Sequence, residues 1–115
     1  MEIVIKKGKK KIKLDVRKTG FLSRGTGLTF KNKWTDSLLF ELDKDSRIAI
    51  TSWFVFFPFL ILWLDNMNNV LEMAIVRPFV FSLRPEKNFR KFVEIPINAK
   101  NSKKIAFFVG KSRKI

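Results

Sequence analysis

Residues 48–64 read IAITSWFVFFPFLILWL, seventeen positions without a charge. A membrane-spanning helix needs roughly 20 predominantly apolar residues. This run is shorter, is interrupted by Thr51, Ser52 and Pro58, and is rich in aromatic and β-branched residues. Such a composition favours buried strands over a helix, so the run is read as two extended segments meeting near Pro58. Immediately after it, Asp65-Asn66-Met67-Asn68-Asn69 has turn chemistry. Val70 to Val76 then sets Leu71, Met73 and Ile75 against Val70, Glu72 and Ala74. Together these segments predict a hairpin.

Further along, Arg77-Pro78 ends that strand and Phe79, Val80 and Phe81 continue in extended form up to the polar connection Arg84-Pro85-Glu86-Lys87. Val93, Ile95 and Ile97 alternate around Glu94 and Pro96, and a proline in such a pattern belongs at a sheet edge or a strand end. Asn98 is an expected N-cap for one or two helical turns reaching Lys104, with Ile105 to Val109 as a last strand ended by Gly110. On the N-terminal side, Ile3 and Ile5, then Ile12, Leu14 and Val16, alternate around Gly8 as a β-hairpin with one buried face. Residues 36–41 read as a strand and 43–46 as a turn. The expected fold is all-β, or mainly β with one or two short helices: a small compact barrel of short, mostly antiparallel strands.

A chain of 115 residues closes a single core, so residues 1–115 are expected to be one domain. There is no cysteine, histidine or tyrosine, which removes disulfides, thiolate chemistry, the commonest general base and the commonest metal ligand. No cofactor is expected. Asp43 and Asp45 stand in the expected turn with no further ligands, so no metal site is expected either.

The net charge of +14 is concentrated at the ends. Residues 1–18 carry eight basic residues against Glu2 and Asp15, and residues 100–115 carry six with no acid, whereas the middle is nearly balanced. Lysines dominate both ends. A lysine is a hydrated point charge that holds phosphates without reading bases. The unspecific alternative is a solvated, aggregation-resistant surface. The start of the chain lacks the charged lead into a long apolar stretch that an export signal requires, so a cytoplasmic protein without membrane association, and a monomer, is expected.

Six fragments in order resemble the domain of unknown function 192 family, also known as uncharacterised protein family 0127. They are Arg24-Gly25-Thr26-Gly27-Leu28-Thr29-Phe30, Leu38-Leu39-Phe40, Phe57-Pro58-Phe59-Leu60 with Trp63-Leu64-Asp65, Val70-Leu71-Glu72, Pro78, and Phe92-Val93-Glu94-Ile95-Pro96. Three positions depart from that family's pattern. Thr29 replaces a methionine, Leu60 stands where the family has an acid, and Thr51 stands where it often has a polar or basic residue. The resemblance implies a compact, mostly β structure with a short helix near the opening motif. The family's activity is not established. If its acid and opening arginine form a shared polar site, Arg24 alone is kept here.

Among single residues, Arg24 beside Gly25 and Gly27 could present a guanidinium and free amides to a phosphate or carboxylate. The structural alternative is a helix cap or an internal ion pair. Asp65 completes this set of ligand-binding candidates. Lys9, Lys10, Lys11, Lys13, Lys103 and Lys104 are the candidates for contacting nucleic acid. The phenylalanines and tryptophans read mainly as core, with Trp34 exposed. Glu72 and Glu94 sit at alternating strand positions and read as solvated surface, so no catalytic residue is assigned. The expected function is a non-catalytic binding or accessory module with an unknown ligand. Its rivals are sequence-tolerant nucleic-acid binding through the lysine-rich ends and a carboxylate-dependent hydrolase or transferase.

Overall fold

A strand that is apolar at every position needs cover on both faces. That requirement organises the sheet. The computed structural model describes residues 1–19, 32–50, 52, 55–80 and 82–109. It contains β1 (Glu2–Lys7), β2 (Lys10–Thr19), β3 (Ser37–Ser46), β4 (Phe59–Leu64), β5 (Val70–Val76) and β6 (Phe89–Pro96), followed by a 3-10 turn (Ala99–Asn101) and a helix, α1 (Ser102–Val109). The six strands make one sheet in the order β1-β2-β3-β6-β4-β5. Every pairing is antiparallel except β2 with β3, which is parallel. The sheet curls into a half-barrel.

Every residue of β4 is buried. Leu60, Leu62 and Leu64 point to the concave side, where they pack with Ile5, Leu14, Val16, Leu39, Val93 and Ile95 from other strands and with Ile105 and Phe108 of α1. Phe59, Ile61 and Trp63 point to the convex side. There the cover is not sheet but connecting chain, supplied by Ile50, Val55 and Phe57 with the partly buried Ile48, Val80 and Leu83. Ser52 ties these connections together. Its hydroxyl donates to the Arg77 carbonyl at 2.6 Å and accepts from the Val80 amide at 2.7 Å.

The two edge strands of the half-barrel approach one another at one corner. Asp65 builds the β4–β5 turn: Oδ1 accepts from the amides of Met67 at 2.8 Å and Asn69 at 2.9 Å, and Oδ2 accepts from Asn69 Nδ2 at 3.0 Å. That turn places Asn68 at φ 66, a left-handed conformation that asparagine tolerates better than most residues. Asn68 then links the edges. Its carbonyl accepts from the Lys6 amide at 2.9 Å, its Nδ2 donates to the Val4 carbonyl at 3.2 Å, and its Oδ1 accepts from Lys91 Nζ at 2.9 Å.

Several expectations need correction. Ile105 to Val109 is helix, not strand, because Ile105 and Phe108, three apart, form one buried stripe on α1. Asn98 does cap it, through the preceding 3-10 turn, with Oδ1 accepting from the Asn101 amide. Residues 43–46 belong to β3, which runs on through an irregularity in its pairing with β6. Pro96, by contrast, stands at a strand end, one of the two places expected for it, as the last residue of β6, a central strand. Phe79 lies in a turn with φ 64, so the extended run expected after Pro78 is broken. Residues 48–50 form no strand and contribute only a bridge between Ile50 and Leu83. The short helix implied near Arg24 falls outside the described residues.

Asn68→Ala removes the side-chain links to Val4 and Lys91 and places a β-carbon-bearing residue of lower tolerance at positive φ. A loss of about 2 kcal/mol is expected. Asn68→Gly, which restores the backbone freedom, should recover a part of it. Urea unfolding midpoints of the three proteins measure both steps.

Candidate functional site

Hairpin geometry explains why the N-terminal lysines converge. Ile3 and Ile5 face the core opposite Leu14 and Ile12, and the turn is closed by Gly8 at φ 62, a value glycine adopts without cost. The same register sets Lys6 directly opposite Lys11, and Lys7 opposite Lys10. Like charges so placed repel. They persist because most of the tip is exposed and because Lys7 has a partner elsewhere. Its Nζ donates to the Phe108 carbonyl at the C-terminal end of α1, where a cation meets the negative end of the helix dipole.

That contact ties the basic hairpin to the C-terminal end of α1. Lys104 and Lys103 stand about 6–8 Å along the helix axis from the Phe108 anchor, at 1.5 Å per residue. Lys9, Lys10, Lys11 and Lys103 are exposed, Lys104 is half-buried, and Lys13 lies on the outer face of the hairpin opposite Val4. Lys9, Lys10 and Lys11 thus stand at the hairpin tip beside Lys7, Lys103 and Lys104 stand near the start of α1, and Lys13 lies further along the hairpin. A groove of about 440 Å³ is lined by Lys7, Leu60, Met73, Ala74, Ile75, Phe108 and Val109.

The remaining candidates are distributed differently. Arg24, Gly25 and Gly27 lie outside the described residues. Asp65 is engaged by three hydrogen bonds within its own turn. Burial acts to raise its pKa, but the Asn69 and Met67 donors and the charge of Lys6 outweigh it and hold the carboxyl below its ordinary value. Glu41 is also held low, chiefly by its hydrogen bond from Lys18, with an ion pair at 2.9 Å and Lys91 at 3.8 Å. Glu72 accepts from the amides of Glu86 at 3.1 Å and Lys87 at 2.7 Å, so it anchors a connection at the surface. Leu60 is fully buried on the concave side, where an ionised carboxylate would have no water. Trp34 is exposed as expected, with Lys33 Nζ 5.4 Å from its ring centroid. Among the described residues no group of three acidic side chains could hold a metal ion, and no helix is long and apolar enough to cross a membrane.

Sequence reading missed Glu94. It is only 6% exposed, on the convex face of β6 between Leu38 of β3 and Ile61 of β4. The expectation of solvated surface fails because β6 is central and both its faces are covered. Burial pushes the Glu94 carboxyl up to about 8 by penalising its charged form. On the same face Trp63 is 2% exposed and its indole N–H has no acceptor among the described residues. The Glu-Ile-Pro end of β6 offered one signal, since a lone acid in an apolar strand is buried when the strand is central.

No protein-family model matches this chain, and no curated protein does. Two solved structures share its fold. A protein of unknown function from Novosphingobium aromaticivorans superposes with a TM-score of 0.71 at 11% identity, over 89% of this chain and 76% of the other. A protein from Sinorhizobium meliloti, described as a candidate transcription regulator, gives a TM-score of 0.70 at 16% identity, over 90% and 82% of the two chains. At these identities the likeness establishes the curled half-barrel.

An acid whose folded pKa is raised stabilises the fold while it is protonated. The Glu94 contribution is therefore complete below the ordinary glutamate value of 4.5 and is lost progressively as the pH rises to about 8. Glu94→Gln should abolish that decline. Its advantage over the parent should be on the order of a few kcal/mol at pH 8, at about 1.4 kcal/mol per pKa unit, and close to nil near pH 4.5. Urea midpoints across this range test it, and equal pH profiles for the two proteins would show that Glu94 is solvated.

Proposed function

We propose that this protein is a non-catalytic binding module that holds nucleic acid electrostatically, through the lysine-rich end shared by the β1–β2 hairpin and α1. The observation that supports the reading most is the Lys7–Phe108 contact, which ties the lysine-rich hairpin to the helix that carries Lys103 and Lys104. Lysines without an arginine fork, set on a hairpin tip, favour backbone contact over base reading. A net charge of +14 supplies the long-range attraction for a polyanion. A carboxylate-dependent hydrolase or transferase is less well supported, since Asp65 and Glu72 are occupied by backbone amides.

We also read the chain as a divergent member of the domain of unknown function 192 family. In support, the fragments that resemble it lie in order on β3, at the start and end of β4, on β5 and on β6. The opening fragment, with Arg24, is outside the described residues. This reading adds no activity.

Binding held by lysine point charges follows counterion release, so log affinity should fall with log salt at a slope of roughly −0.7 to −0.9 per phosphate neutralised. Replacing Lys9, Lys10 and Lys11 by glutamate should weaken binding to every oligonucleotide alike and reduce the slope by about 2 to 3. The fold should be retained, because all three side chains are exposed. Fluorescence anisotropy with single- and double-stranded oligonucleotides over a salt series measures this. Absence of binding by the parent at low salt would leave the lysines a role in solubility alone.

A further inference from the structure

The barrel begins to close between its two edges and then stops. Lys6 of β1 bridges Asn69 in parallel orientation, and its amide donates to the Asn68 carbonyl at 2.9 Å. β1 ends at the next residue, Lys7, and the chain turns away at Gly8, whereas β5 runs on to Val76. β5 pairs with β4 alone, and from Leu71 to Val76 its backbone bonds to no other segment among the described residues. Alternate residues of an antiparallel pair turn their amide and carbonyl away from the partner strand, so this edge presents an open row. Proteins commonly blunt such edges with lysine, proline or a bulge. Leu71 to Val76 contains neither lysine nor proline, and the irregularity in the pairing of β5 falls at its start, opposite Trp63 and Leu64.

The groove of about 440 Å³ lies along this unpaired stretch, a volume within the roughly 300–1,000 Å³ range of ligand sites. Met73 and Ile75 stand opposite Leu62 and Leu60, so they share the concave face of β4. With Ala74 they form one wall, Phe108 and Val109 of α1 form the other, and the buried Leu60 forms the base. Ile75 is 40% exposed, so α1 stops short of covering this part of the concave face. Lys7 is the one charged residue in the lining. Its Nζ donates to the Phe108 carbonyl, which uses one of the three donors of an ammonium. Among the described residues no carboxylate lies within ion-pair distance of it. The groove therefore combines apolar walls, a free strand edge and a cation without a counter-charge.

We propose that the seam between β5 and α1 docks the C-terminal segment of another protein, which pairs with β5 as an added strand, sets alternate apolar side chains in the groove and places its terminal carboxylate on Lys7. A strand in this place continues the pairing that β1 starts and abandons. Strand addition takes its affinity from main-chain hydrogen bonds and its specificity from pockets for alternate side chains. The six residues from Leu71 to Val76 span about 20 Å at roughly 3.3 Å each, so a hexapeptide matches the open row. Lys7 follows the bridge to Asn69 and stands where β5 begins, so a segment with its carboxylate there runs antiparallel to β5. An N-terminal ammonium in the same position meets a like charge. Edge-to-edge pairing of two copies is opposed by the net charge of +14 on each. Lys9, Lys10, Lys11, Lys103 and Lys104 do not line the groove, so this inference and nucleic-acid binding stand or fall separately.

The probe is a hexapeptide of alternating threonine and valine, acetylated at its N-terminus and ending in a free valine carboxylate, so that its single charge is the terminal one. Calorimetry at physiological salt measures binding, and hydrogen exchange followed by NMR reports on the β5 amides. The parent should bind this peptide about tenfold more tightly than its C-terminal amide, the difference expected for one charge-assisted contact. Lys7→Met should bind acid and amide alike, at the parent's affinity for the amide, and Lys7→Arg should keep the preference. At saturation the outward-facing amides between Leu71 and Val76 should exchange at least about tenfold more slowly. The proposal is overturned if the peptide does not bind the parent, if the amide binds as tightly as the acid, if Lys7→Met keeps the preference, or if β5 exchange is unchanged in the complex. A free protein that is already a dimer with protected β5 amides overturns it in favour of self-pairing. Octanoate offers a carboxylate and an apolar chain without a backbone, so octanoate binding as tightly as the peptide overturns it in favour of a site for small amphipathic acids.

Discussion

The structure depends on burying β4 from both sides. Six consecutive apolar residues leave that strand no face for water, so it must lie inside the sheet and have a layer above and below. On the concave side the curl of the sheet brings the β1–β2 hairpin around to meet it, and α1 fills what the curl leaves open. On the convex side, among the described residues, the connections before β4 and after β5 serve as cover in place of a second sheet or helix. The half-barrel is the geometry in which a single small sheet can do both.

This division has a chemical consequence. A layer made from connecting chain carries backbone amides and carbonyls that must be satisfied locally, and Ser52 answers that need through its hydroxyl and its backbone. The same layer holds Phe79 at φ 64, packed edge-on against Phe56, with 49% and 59% of the two residues exposed. A bulky residue at positive φ stores on the order of 1–3 kcal/mol of strain. The concave side, built from strands and α1, contains no comparable strain among the described residues, and its polar groups, such as Lys91 with Asn68, are paired.

Local patterns in the sequence revealed the elements whose partners are near in the chain. Gly8 with flanking alternation gave the first hairpin, and Asp65 to Asn69 gave the second, because turn chemistry and register are contained in a few adjacent residues. What escaped was set by distant partners. Glu94 looks like an outward-facing acid until β3 and β4 are placed on either side of β6, a fact of topology and not of local pattern. Ile105 to Val109 has strand-like composition, yet the neighbours it packs against select a helix. The lysine candidates were legible as charge, whereas the tie between the hairpin and α1 is a contact of Lys7 with Phe108 across the length of the chain. Trp63 was legible as core but not as an unsatisfied donor, since that depends on which atoms surround it.

The place of β6 between β3 and β4 bears on how the chain is made. Synthesis runs from the N-terminus, and β5 follows β4 at once, but the strand that covers the other edge of β4 emerges only after the whole second connection. At roughly 5–20 residues per second, the nascent chain presents an all-apolar ribbon with one open row of amides and carbonyls for about a few seconds, a template for pairing with another copy. The hairpin with the densest positive charge is by then already outside the ribosome. Like charge holds neighbouring nascent chains apart during that interval, so the lysines guard the strand that cannot yet guard itself.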